Sequence, residues 1–137
     1  MKINAGYEHL LNKMCLIESL GHALYEELAS KEKDEGLKNI YIRLSNNESE
    51  TRQNIVEKAG PDILNCVPGY QHLIVGLASS FFRIIPNKIL SQILKNILQK
   101  RMYSRWFELY NELDPELWRM LLEHEKLQHE LLSPYWD

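Results

Sequence analysis

The chain has 137 residues, is 45% hydrophobic and 26% charged, and has a net charge of −3, so it reads as one globular domain over 1–137 with a sizeable core. An acidic balance of this kind offers no basic face to nucleic acid and excludes it as a partner. Cys15 and Cys66, the only cysteines, form no CxxC pair and read as buried small apolar side chains. The N-terminal MKINAGYEHLLNK has no signal-peptide architecture, and together these features suit a reducing cytoplasmic compartment.

From about Asn4 to Ser30, Tyr7, Leu10, Leu11, Met14, Ile17, Leu20, Leu24 and Leu28 recur at helical spacing, with Gly21 the one interruption. The run KEKDEG then breaks the pattern, with Gly36 as a turn residue, and a second helix runs to about Ala59 through Leu37, Ile40, Tyr41, Leu44, Ile55 and Val56. Gly60 and Pro61 end it. The short turn makes these two helices antiparallel neighbours. The stretch from Pro61 to Pro86 starts irregularly as PDILNCVPGY and continues as the apolar HLIVGLASSFFRII, which reads as a short helix. Its most apolar run, Leu73 to Phe82, falls short of the roughly 20 residues that span a bilayer. A third long helix is expected from Asn87 to about Glu112, and a fourth begins with Asp114 as cap and Pro115 at the first position and stops at Ser133-Pro134. The short–long–short order of connections is that of an all-α bundle of four helices with one long crossover, here carrying a short extra helix.

Three carboxylates fall on the apolar seams. Glu18 is one turn from Met14, Glu48 is one turn from Leu44, and Glu125 sits between Leu121 and Leu132. At about 1.5 Å per residue, Glu18 and Glu48 lie roughly 22 Å from the first hinge. Glu125 lies roughly 16 Å from the second hinge, in a bundle roughly 39 Å long, so with one crossover all three meet at one level. A buried carboxylate is costly unless neutralised. A metal ion would neutralise it, and so would Arg52, Arg101 or Arg105 on neighbouring helices.

The text IESLGHALYEELASKEKDEGLKNIYIRLSNNESET resembles the first helix pair of the ferritin-like superfamily, in its rubrerythrin branch. Glu18 with Tyr25 seven residues later, the LSNNESET run, YSRWFELY and EHEKLQH carry the likeness. The resemblance implies two metal ions, iron or manganese, held by Glu from each of two helices and Glu-x-x-His from the other two. It also implies an oxidoreductase acting on ferrous iron or peroxide. The departures are specific. Thr51 stands at one expected His, Tyr103 at the third-helix Glu, and Gln128 at the second His, with His129 one residue late. An alternative register places Lys126 and His129 there and loses the Glu. The resulting expectation is an altered or partial di-iron site of Glu18, Glu48 and Glu125, with His22, His124 or His129 as replacement ligands. The alternative is a metal-free scaffold acting as a dimeric binding or assembly protein. A homodimer is expected in either case. The HLIVGLASSFFRII helix has three readings: cover over the bundle, dimer interface, or membrane contact. The last is disfavoured because its polar side has only Arg83 as a cation.

Overall fold

The computed structural model describes residues 5–59 and 70–136, and every element among them is helical. In order these are α1 (Ala5–Lys31), α2 (Glu35–Ala59), α3 (Tyr70–Ile84), α4 (Asn87–Gln99), α5 (Met102–Tyr110), α6 (Pro115–Leu132) and a closing 3₁₀ turn (Ser133–Tyr135). The expected turn segment PDILNCVPGY and Cys66 lie outside the described residues up to Tyr70. Cys15 is buried as expected, and burial pushes its thiol up.

The first hinge is set by Asp34. Its Oδ1 accepts the backbone N–H groups of Gly36 at 2.9 Å and Leu37 at 3.3 Å. This is an N-cap, so α2 starts one residue before Gly36, and the expected turn glycine sits inside its first turn. Asp114 caps α6 in the same way through the Leu117 N–H, with Pro115 at the first helical position.

Side-chain contacts fix the helix directions. Between α1 and α6, Tyr7 meets Trp118 and Tyr25 meets Gln128, so these two run the same way. Between α2 and α6, Asn54 meets Met120 and Lys58 meets Glu116, which is antiparallel. Asn87 meets Leu28, and further on Tyr103 meets Glu18, so α4 and α5 run against α1. Gln71 reaches Asn12 and Arg83 reaches Glu27, so α3 runs alongside α1 in the same direction. Lys31 pins the end of α3 by donating to the carbonyls of Phe82 and Ile85 at 2.8 and 2.7 Å.

The third long helix is not continuous; this corrects the sequence reading. It breaks between α4 and α5 at Arg101, whose φ of 49° and ψ of 54° are left-handed, the one such non-glycine among the described residues. That conformation costs a non-glycine residue roughly 1–2 kcal/mol. The apolar periodicity runs straight through the break, so local pattern gave no warning. Contacts from α6, described below, hold it.

Two apolar clusters form the core. One gathers Tyr7, Leu11, Met14, Ile55, Leu117, Trp118 and Leu121 near the start of α1. The other gathers Leu24, Leu28, Tyr41, Leu44, Leu90, Leu94 and Leu132 near its end. Between them, buried side chains turn polar: Glu18, Ser45, Glu48, Thr51, His124, Glu125 and Gln128. The common level expected from helix rise exists as a polar layer between two apolar ones.

Candidate metal centre

Glu18 from α1, Glu48 from α2 and His124 from α6 meet in this layer. All three are buried, and one ligand atom from each lies within 4.8 Å of the others. His124 Nε2 is 3.3 Å from Glu18 Oε2 and 3.4 Å from Glu48 Oε2.

The polar surroundings define what each group can offer. The other imidazole nitrogen, Nδ1, is hydrogen-bonded to Asn47 Oδ1. A carbonyl oxygen only accepts, so the proton sits on Nδ1 and Nε2 presents its lone pair. Gln128 Nε2 lies 3.2 Å from that nitrogen, and Gln128 Oε1 accepts the Tyr25 hydroxyl at 2.5 Å. Tyr103 donates its hydroxyl to Glu18 Oε1. Glu18 Oε2, facing the imidazole, has no hydrogen-bond donor although it is buried. Two carboxylates and an imidazole nitrogen therefore converge, and the Gln128 amide donates to that nitrogen where a cation would displace it. A cation fits that set. The carbonyl partner on the far imidazole nitrogen is the arrangement that orients a metal-ligating histidine.

Glu48 reaches the layer because Gly21 leaves room for it. A Cβ on Gly21 would lie 2.8 Å from Glu48 Cδ and 2.9 Å from Oε1. The glycine that interrupts the first helix pattern is thus a cradle for the carboxylate, a role the sequence reading did not assign. Its position in mid-helix was the available signal.

The remaining expected ligands are placed otherwise. Glu125 is buried at the same level and lines one cavity with Glu18 and Glu48, but its Oε2 accepts both the N–H and the hydroxyl of Ser104, each at 2.9 Å. Ser104 lies in the first turn of α5, so Glu125 caps that helix from across the bundle. One turn on along α6, the His129 ring Nε2 contacts the Leu98 carbonyl at 2.8 Å, in the last turn of α4. Glu125 and His129 thus hold the two ends of the break at Arg101, and His129 is not among the side chains that converge with Glu18 and Glu48. His22 also turns away: Nδ1 meets Ser45, with its carbonyl at 2.9 Å, and Nε2 pairs with Glu26 at 3.0 Å. Arg101 and Arg105 are exposed, and the nitrogen that lies against Glu18 and Glu48 is Nε2 of His124.

Three openings reach the layer, one of them, about 430 Å³, lined by Asn47, Thr51 and His124. A polar cleft of about 290 Å³ includes Ser19, His22, Ser49 and Arg52 and ends on Glu18. On the other side a cavity of about 420 Å³ between α1 and α4 is walled by Leu24, Leu94 and Leu98, with Glu18, Glu48, Glu125 and Tyr103 on its floor.

Burial, and then the charge of Glu18, pushes the hydroxyls of Tyr103 and Tyr25 well above 10.0. Burial pushes Tyr41 up to about 12 and raises Tyr7 as well. In the unfolded chain these phenols ionise near 10. Above that pH the unfolded state releases protons that the folded state keeps, so their contribution is complete below about pH 10 and is lost as pH rises through the folded values. Melting temperature should hold up to about pH 10 and fall steeply above it, with phenolate absorbance appearing together with unfolding. A melting temperature flat to about pH 11.5 would contradict this.

No protein-family model, curated protein or solved structure matches the chain. The site's own chemistry therefore carries the functional reading.

Proposed function

We propose that this chain is a ferritin-like metal-binding protein whose site has been reduced to one divalent ion held by Glu18, Glu48 and His124. The helix directions support the fold half of this reading. α1 and α6 run one way, α2 and α4–α5 the other, and α3 climbs beside α1 as the return leg that a single long crossover needs. The observation that carries the site half is the buried convergence of two carboxylates and one imidazole with Glu18 Oε2 lacking a donor. Two oxygen donors and one nitrogen suit ferrous or manganous ion and leave coordination positions open.

Such an ion would supply one-electron chemistry toward oxygen or peroxide. The chain's own residues do the rest. Tyr103 keeps its proton and holds Glu18 Oε1, so the second oxygen is presented inward. Asn47 fixes the imidazole tautomer. Leu24, Leu94 and Leu98 line the cavity beside the layer, so the ion would have apolar neighbours on that side.

Protein purified from iron-supplemented cells should contain about one ion per chain, lost in Glu48→Ala and in His124→Ala. Absence of metal after incubation with iron, manganese and zinc salts would overturn the reading. A second reading is favoured by one specific contact pattern: a second proton on His124 Nε2 would bridge both carboxylates, at 3.3 and 3.4 Å, and make a metal-free ion triad. In that case replacing Glu48 by Leu would raise stability.

A further inference from the structure

The charges of this chain are segregated in a way its net value hides. Between Tyr70 and Phe107 there is no Asp or Glu, while Arg83, Lys88, Lys95, Lys100, Arg101 and Arg105 supply six cations. The whole chain has 16 Lys and Arg against 19 Asp and Glu, so the rest carries 10 against 19, a net of −9. The segment's apolar residues are also turned outward. On α3, Leu73, Leu77, Phe81 and Ile84 are 58–77% exposed, and on α4, Ile89, Ile93 and Ile97 are 39–51% exposed. These seven are most of the ten exposed large hydrophobics among the described residues. The α3 set recurs at four- and three-residue spacing and the α4 set at four, so each forms a stripe along one side of its helix.

A soluble surface rarely leaves two such stripes to water without a partner. Arg83 at the end of the α3 stripe and Lys88, Lys100 and Arg101 at the two ends of the α4 stripe are exposed. Long basic side chains in that position lay their stems along apolar surface and extend the charge to its rim. Arg101 is exposed where the helix breaks, next to Lys100. The junction between α3 and α4 is anchored to the end of α1 through Lys31 and Asn87.

We propose that α3 and α4 dock on an anionic lipid surface. Apolar stripes on a segment with six cations and no Asp or Glu, Arg83 being shared with Glu27 of α1, match the acyl–headgroup boundary beneath negative headgroups. A second copy of the chain matches less well, because this segment has six cations and no acidic residue to offer an identical copy of itself. No helix among the described residues is long and apolar enough to cross a membrane, so the protein would lie on the surface. Taken alone, the crossover helix has only Arg83. The basic rim comes from α4 and the start of α5, which is why α3 by itself gave the opposite answer. Ile93, Ile97 and Lys100 also border the 420 Å³ cavity, so its mouth opens on the docking face. The proposal stands whether or not a metal binds.

Vesicle flotation tests it. Full-length protein should float with phosphatidylcholine vesicles containing phosphatidylglycerol, bind vesicles of phosphatidylcholine alone far less, and be partly released by high salt. Phe81→Asp with Ile93→Asp should abolish flotation. Lys88→Gln with Lys100→Gln should weaken partitioning on the order of twentyfold. Ile42→Asp, at an exposed apolar residue of α2, should float like the parent protein. Circular dichroism of each variant confirms that it is folded. Failure of the parent protein to bind anionic vesicles at any ionic strength overturns the proposal. So does equal loss in Ile42→Asp, or a stable dimer that Phe81→Asp and Ile93→Asp dissociate.

Discussion

Gly21→Ala should abolish metal binding in a protein that remains folded. The added methyl would lie 2.8 Å from Glu48 Cδ and within 3.0 Å of both carboxylate oxygens, closer than carbon atoms tolerate. What yields is the far end of a flexible side chain, so Glu48 swings out of the layer while α1 and α2 stay in contact. Alanine is also favoured over glycine inside a helix by about 1 kcal/mol, which offsets the local crowding. Loss of an orienting contact alone commonly costs a site 10–100-fold in affinity, and here a ligand itself is displaced, so a drop on the order of 100-fold or more is expected. Isothermal titration with manganous ion, alongside thermal unfolding without metal, reads the two effects separately. An unchanged affinity would show that Glu48 is not a ligand. A fall of many degrees in the metal-free protein would show that the helices part instead.

The contrast between Glu48 and Glu125 explains how far the sequence could be read. Both lie on an apolar seam and at one level, and helix rise alone placed them there. Glu48 faces the imidazole from α2, whereas Glu125 meets the bend at Arg101, and nothing in ILQKRMY announces that bend. The bend puts the N-terminus of α5 against Glu125 and the last turn of α4 against His129, so two residues of ligand type hold a helix break. The choice among His22, His124 and His129 was open for the same reason, since each is one turn or less from a seam position. The rods, caps and polar layer came from local pattern and length. The assignment of ligands needed the tertiary contacts that local pattern does not contain.

Trp118→Ala should remove about 3–5 kcal/mol of folding stability, a large share of the roughly 5–15 kcal/mol a domain this size holds. Trp118 is fully buried, its ring stacks on Tyr110 at 6.0 Å, and its Nε1 donates to Tyr7 at 3.2 Å. It joins α1, α5 and α6 in one apolar cluster that also contains Tyr103. That cluster sets the register of α1 against α6, which is what brings Glu18 level with His124. Urea unfolding should show a lower midpoint with the slope retained. Because an ion that binds the folded state alone stabilises it by mass action, manganous ion at about 100 times its dissociation constant should return roughly 2.7 kcal/mol. Recovery in Trp118→Ala but not in the double variant with His124→Ala would tie the layer and the cluster beneath it into one unit. A loss below about 1 kcal/mol on removing the indole would mean that the cluster does not hold the helices in register.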